Sequence, residues 1–277
     1  MPNFYKIIRY IPLSALRLLA KVAASVIASR PHLKFYRNVA SNLKLSYPQL
    51  NETQLNDLIQ KSIINQCLSS VESAKSWAMP PQWSMQQIRQ VHDVEILHKG
   101  LQHPNGMLII VPHLGTWEMM NAWVAQQGAL TIMYKPSRSP QLDAFILEGR
   151  QRLNATLVPT DASGVKAIFK TLKSGGFSVI LPDHVPDVSG GVVVPFFNIP
   201  TLSSTLASKL ASKTQCALVG LSCIRREDGD GFDMYCTDLS QEQLYSTDQN
   251  VATAALNQAV EQMVQRFPEH YMWSYRR

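Results

Sequence analysis

The 277-residue sequence predicts an α/β domain with a mostly parallel central sheet flanked by helices, preceded by an amphipathic N-terminal helix. Three observations carry this. Short continuous apolar runs, such as residues 107–112 (MLIIVP) and 177–181 (FSVIL), read as strands buried on both faces. They alternate with helical patterns, the rhythm of βαβ units. Charge is also lopsided: residues 1–50 hold eight basic side chains and no acidic one, whereas the remainder holds 18 basic and 20 acidic groups.

Residues 12–29 read as the first helix, with Pro12 suited to its first turn. Arg17 and Lys21 share one face with Ser14 and Ser25, and the opposite face carries Ala15, Leu19, Val22 and Val26. Asn51 is a fair N-cap for a helix over 53–78 that Pro80-Pro81 ends. The body follows as strand 107–112, helix 116–127, strand 129–134, helix 141–153 and strand 156–158. Next come helix 164–173, stopped by Gly175-Gly176, and strand 177–181. A helix over 203–213, strand 216–224, a turn at 228–231, strand 232–236 and a closing helix over 248–267 complete the chain. Two parts are expected: a basic amphipathic membrane-association segment over 1–50 and an α/β domain over 51–277.

Apolar residues make up 45% of the chain, enough for a sizeable core, so disorder is excluded. The uncharged apolar stretches near the N-terminus fall far short of the ~20 residues a spanning helix needs, which excludes a polytopic membrane protein. Basic residues interleaved with Leu, Ile, Val and Ala suit anionic lipid headgroups better than nucleic acid, at ~1 kcal/mol for each nearby cation. Arg17 and Lys21 interrupt the apolar segment 10–29, which argues against a cleaved signal peptide. Cys67, Cys216, Cys223 and Cys236 fit neither a metal spacing nor a disulfide framework and read as buried thiols in a reducing compartment.

Ligands of open α/β sheets gather outside the C-terminal ends of the strands. Three such ends carry chemistry: His113-Leu114-Gly115-Thr116-Trp117-Glu118, Tyr134-Lys135-Pro136-Ser137-Arg138, and Pro182-Asp183-His184. On an uninterrupted helix His113 and Glu118 would diverge, but Gly115 lies at a strand-to-helix turn and lifts that constraint. Glu118 can then fix the imidazole tautomer and leave the other nitrogen as a base. Equally, His113 is a satisfied histidine and Glu118 complements the helix dipole; spacing alone does not choose. A serine hydrolase is disfavoured because Gly220-Leu221-Ser222-Cys223-Ile224 lacks the second glycine of an elbow. No Gly-rich phosphate loop is present, and His92, His98 and His103 share no helical face, so no metal is expected.

The segment from His113 to Glu118 resembles the H-x4-D/E signature of glycerolipid-type acyltransferases, and its surroundings resemble the late acyltransferases of lipid A biosynthesis. Asn42-Leu43-Lys44-Leu45-Ser46-Tyr47-Pro48 is similar to that family's Asn-Leu…Phe-Pro segment. Tyr134-Lys135-Pro136, Leu142-Asp143 and Gly149-Arg150 resemble a second block, and Leu181-Pro182-Asp183 with Val194-Pro195-Phe196-Phe197 a third. Residues 267–276, ending in Tyr275-Arg276, resemble the family's Pro-x-x-Tyr-x-Trp…Arg terminus. His184, Asn198 and Thr201-Leu202-Ser203 depart from the pattern and are expected around the substrate channel.

The resemblance implies a glycerol-3-phosphate acyltransferase-like fold and transfer of a fatty acyl group from acyl carrier protein to a hydroxyl on a Kdo-modified lipid A precursor. It implies no cofactor, and a place at the cytoplasmic face of the inner membrane on anionic lipid. His113 is then the general base and Glu118 its orienter, with Arg150 or amides near Gly115 meeting the oxyanion. Lys135 and Arg138 would meet phosphate or sugar-acid groups, and Asp183 would organise the rim through Arg150. Trp117 and His184 would line the substrate site. Two alternatives are an acyl-CoA-dependent enzyme acting on a lysophospholipid or other glycolipid, and a catalytically silent lipid-binding module.

Overall fold

The computed structural model describes residues 4–275, so Arg276 of the C-terminal block lies outside the described residues. Its sheet contains β1 (Ile88–His92), β2 (Met107–Ile110), β3 (Leu130–Tyr134), β4 (Ala155–Pro159) and β5 (Phe177–Ile180). After a separate hairpin of β6 (Gly191–Phe196) and β7 (Ile199–Ser204), the sheet resumes with β8 (Ala217–Arg225) and β9 (Phe232–Asp238). In space the order is β1-β9-β8-β2-β5-β3-β4. Every neighbouring pair is parallel except β8–β9, which the expected turn at 228–231 joins as a hairpin.

The helices are α1 (Leu13–Ala28), α2 (Lys34–Ser46), α3 (Glu52–Ala78), α4 (Pro81–Gln87) and α5 (Val94–Leu101), then α6 (Trp117–Ala125) and α7 (Pro140–Gln151). α8 (Ala162–Lys173), α9 (Leu206–Thr214) and α10 (Gln249–Arg266) complete the set. Asn51 caps α3 as the sequence predicts, in a reciprocal capping box with Gln54. β2 shows why the sheet is sandwiched between helices. Its four residues are all buried, Leu108 and Ile110 facing one apolar cluster and Met107 and Ile109 the other.

The structure corrects two expectations in this frame. Residues 203–204 belong to β7, and α9 starts only at Leu206, because Gly191 pairs with Ser204 across the hairpin. Phe197 and Asn198 form its two-residue turn at φ 49° and 61°. Asn tolerates that left-handed backbone, so the Asn198 departure answers to turn geometry. The second correction concerns α1. Its basic stripe is not wholly outward: Arg17 turns inward with Leu16, Ala20 and Ala24. Arg17 Nε donates to Glu72 of α3 at 2.8 Å, and Nη1 donates to the Gly229 carbonyl at 2.6 Å. Leu18, Leu19, Val22 and Val26 stay exposed, at 64, 62, 56 and 41%. No described helix is long and apolar enough to cross a membrane.

Candidate active site

Register builds the site. β2 and β5 pair in parallel with Ile110 opposite Ile180, so three residues further on His113 lies opposite Asp183. The imidazole Nδ1 and Asp183 Oδ1 are 2.8 Å apart, and the His113 amide donates to Asp183 Oδ2 at 2.8 Å. Asp183 is 2% exposed. A buried carboxylate on Nδ1 fixes the tautomer with the proton there and leaves Nε2 with its lone pair. Trp117 meets the ring edge-on at 4.9 Å and Tyr275 stacks on it at 5.6 Å.

The expected His113–Glu118 and Asp183–Arg150 partnerships are therefore exchanged. Glu118 accepts hydrogen bonds from Trp77 Nε1 and Asn121 Nδ2, both at 2.8 Å, and pairs with the guanidinium of Arg150. It lies in the first turn of α6 and turns toward α3 and α7, away from the strand tip. Burial lowers the Arg150 pKa, but the Glu118 charge more than offsets this, so Arg150 stays cationic. Arg150 also sits 5.3 Å over the Tyr134 ring, whose hydroxyl donates to Asp143. Gly149 packs so closely on Trp77 that a Cβ would come within 2.9 Å of the Trp77 Cα. The Tyr134, Asp143 and Gly149-Arg150 block is thus one interlocked support for a single guanidinium.

Gly115 does hold the strand-to-helix turn, at φ +70°, with the Cys223 carbonyl 2.0 Å from where a Cβ would be. Its amide is already committed, donating to the His270 carbonyl at 2.9 Å, and the Thr116 amide donates to Cys223 at 2.8 Å. These two amides are therefore not available as oxyanion donors. Behind the turn, Thr116 Oγ1 donates at 2.9 Å to Glu72, a fully buried carboxylate that also accepts from Arg17 and Arg225. Asn42 supports the other side, its Nδ2 donating to the Trp273 and Tyr275 carbonyls. That contact explains why the Asn-Leu and C-terminal blocks occur together.

Two cavities share His113 and Trp117 as a common wall. One, of about 400 Å³, runs along α3 past Ser69, Ser73 and Trp77 and is closed by Tyr5, Ile8 and Phe145. The other, of about 490 Å³, presents Lys135, Arg150, His184 and one acid, Asp187, beside Ile132 and Leu181. Lys135 is thus on the wall as the sequence suggests, and His184 lines it with Nδ1 3.1 Å from the Leu181 carbonyl. Arg138 is exposed on the loop outside both linings.

Sequence reasoning missed the roles of Trp77 and Tyr275, which come from distant elements, and of Asn121, one turn beyond Glu118 on α6. It also missed a usable signal. Ile110-Val111-Pro112-His113 and Ile180-Leu181-Pro182-Asp183 repeat one pattern, two parallel strands each ending in proline and then a polar residue. Cys216, Cys223 and Cys236 are buried free thiols whose pKa burial raises, while Cys67 is only half-buried.

A mostly parallel sheet thus sets a carboxylate-held imidazole on the wall between an apolar cavity and one lined by Lys135 and Arg150, an arrangement with room for an amphiphile. The chain belongs to the bacterial lipid A biosynthesis acyltransferase family, whose model it matches over residues 3–277. It is 25% identical over 254 residues to the lipid A biosynthesis palmitoleoyltransferase of Escherichia coli K12, covering 90% of this chain and 80% of that one. Against the lauroyltransferase of the same organism the identity is 27% over 241 residues, covering 86% and 77%. A phosphatidylinositol mannoside acyltransferase of Mycolicibacterium smegmatis is 27% identical over 149 residues, 52% of this chain and 49% of that one.

Proposed function

We propose that this protein transfers a fatty acyl chain from acyl carrier protein to a hydroxyl of an acyl chain on a Kdo-modified lipid A precursor, at the cytoplasmic face of the inner membrane. The observation that carries the reading is His113, held by Asp183 on the wall between the two cavities. Gln66 and Trp77, eleven residues apart on α3, both line the apolar cavity, whose volume of about 400 Å³ suits an acyl chain.

In the reaction, the acceptor hydroxyl gives its proton to His113 Nε2 as its oxygen attacks the thioester carbonyl. The C–O bond forms, the carbonyl electrons move onto oxygen, and Arg150 faces the developing charge. Collapse breaks the C–S bond, and His113 returns the proton to the departing thiolate. Asp183 stabilises the transient imidazolium. Lys135 and His184 are placed to meet acidic groups of the acceptor. Exposed Leu18, Leu19, Val22 and Val26, with Lys21, Arg30, Lys34, Arg37 and Lys44, which have no ion pair among the described residues, support an interfacial role for residues 1–50.

Purified protein incubated with the acyl carrier protein thioester and the precursor should yield acylated precursor and free carrier thiol. Activity confined to acyl-CoA with a lysophospholipid or glycolipid acceptor would overturn the donor and acceptor. No turnover with any thioester would leave only lipid binding. The mycobacterial relative, named for a glycolipid acceptor, is why that arm belongs in the assay.

A further inference from the structure

Helices α8 and α9 lie side by side, and both start at the rim of the cationic cavity. Thr160, two residues before α8, and Leu206, the first residue of α9, line it. Their outer faces carry Lys166, Lys170 and Lys173 on one helix and Lys209 and Lys213 on the other, all exposed. Neither helix contains a carboxylate. Asp161, at the start of α8, is used as a cap on the amides of Ser163 and Gly164.

Some exposed cations elsewhere find acids, Lys6 with Glu148, Lys61 with Asp57, Arg89 with Asp230 and Arg226 with Asp228, while Lys21, Arg30, Lys34, Arg37 and Lys44 show no such pair among the described residues. None of the five lysines of α8 and α9 has an ion pair or hydrogen bond among the described residues. Lys166–Lys170 and Lys209–Lys213 are also like charges at i,i+4, a spacing that costs a helix ~0.2–0.5 kcal/mol per pair. Lys170, Lys173 and Lys213 complement the helix dipoles from the last turns, whereas Lys166 and Lys209 stand outside those turns.

We propose that the α8–α9 lysine face is the docking surface for the acidic protein that carries the acyl thioester, which rests on the donor named above. Position supports it. At 1.5 Å per residue, Lys209 lies about 4.5 Å beyond Leu206 along the helix axis, and Lys166 about 6 Å beyond Ala162, the first residue of α8. A carrier seated there delivers its thioester over the rim toward His113. Chemistry favours a protein over a lipid surface. A membrane-binding face combines cations with exposed apolar side chains, and α8 and α9 expose no large hydrophobic residue, whereas α1 does. Charge alone suits steered, salt-dependent association with an acidic protein.

The test compares K166E/K209E and K170E/K213E with the native protein. Each substitution replaces a like-charged i,i+4 pair with an opposite one; in K170E/K213E the new acids fall in the last turns, where the helix dipole disfavours them, so unfolding midpoints are measured for both variants. Initial rates are measured with the acyl carrier protein thioester and with the matching acyl-pantetheine thioester, and anionic-vesicle flotation is recorded. KM for the carrier donor should rise roughly tenfold or more, with kcat, the pantetheine rate and flotation unchanged. A native protein that prefers the carrier while both variants keep its KM overturns the surface. So does an equal loss with both donors, or lost flotation with carrier KM intact, which would assign the face to the membrane. A native protein with no preference for the carrier removes the donor reading itself, and the docking surface with it.

Discussion

Asp183 and Glu118 are both buried carboxylates at the same sheet edge, 2% and 5% exposed, yet they are built for opposite tasks. Asp183 meets an imidazole, a partner that can gain and lose a proton near neutral pH. Glu118 meets a guanidinium that stays charged, plus two neutral N–H donors that saturate it. The first pair can relay a proton. The second is a fixed cation mount. A carboxylate's role at such an edge is set by its partner, and the partner is set by which strand or helix lies beside it.

The largest effect expected is at the first pair. His113→Ala should lower turnover by about two orders of magnitude or more, and Asp183→Asn should follow closely because an amide can hold the wrong tautomer. Neither should alter KM for the donor greatly. Near-normal turnover in Asp183→Asn breaks the contrast drawn above.

Next comes the mount. Glu118→Gln leaves Arg150 without its counter-charge, so thermal stability should fall, by roughly 3 kcal/mol on the scale for broken buried pairs. Turnover should fall by about tenfold, with the pH profile keeping its shape because Asp183 is the carboxylate that holds the His113 ring. A pH–rate profile shifted by Glu118→Gln but not by Asp183→Asn would return the orienting role to Glu118. Arg150→Lys should cost activity as well, since a point charge cannot keep both the Glu118 contact and the Tyr134 face.

His270 sharpens the comparison from the stability side. Its carbonyl holds Gly115, and burial, helped by the Arg225 charge, lowers its pKa from 6.5 to about 3. The unfolded chain therefore binds this proton first, and stability should decline as pH falls from about 6.5 toward 3, with no contribution above that window. Denaturant midpoints across this range should drop less steeply for His270→Gln. An identical slope in both proteins would place the acid sensitivity elsewhere.

The smallest effect concerns α1. Replacing Leu18, Leu19, Val22 and Val26 with Ser should remove the salt-resistant part of vesicle binding while leaving activity on a soluble short-chain donor, because Arg17 still ties the helix to Glu72. Flotation that survives high salt in this variant would contradict interfacial binding through α1.

Much of this was legible without coordinates. The apolar runs at 107–110 and 177–180 mark the central strands because burial on both faces leaves no polar alternation to confuse them. Asn51, Gly175-Gly176 and Pro80-Pro81 mark helix ends because capping and breaking are local chemistry. α2, α4, α5 and β1 carried no such signature, and their form follows from what they pack against. At the site, His113, Glu118, Lys135, Asp183 and His184 came from strand ends, since parallel strands bring their C-terminal tips to one edge, and Arg150 from the family resemblance.

Which carboxylate serves which cation was decided only by tertiary structure. His113 and Glu118 are five residues apart in sequence, His113 and Asp183 seventy, and sequence proximity favours the first pair. Parallel register overrides it: Ile110 opposite Ile180 carries His113 to Asp183, while the turn at Gly115 swings Glu118 toward Trp77 and Arg150. The lysines of α8 and α9 follow the same logic, ordinary one helix at a time and a single charged face once the two helices are side by side. Local propensity and burial pattern are properties of a segment, readable from its residues. Pairing is a property of two segments, and only the sheet and the packing of helices upon it determine which two meet.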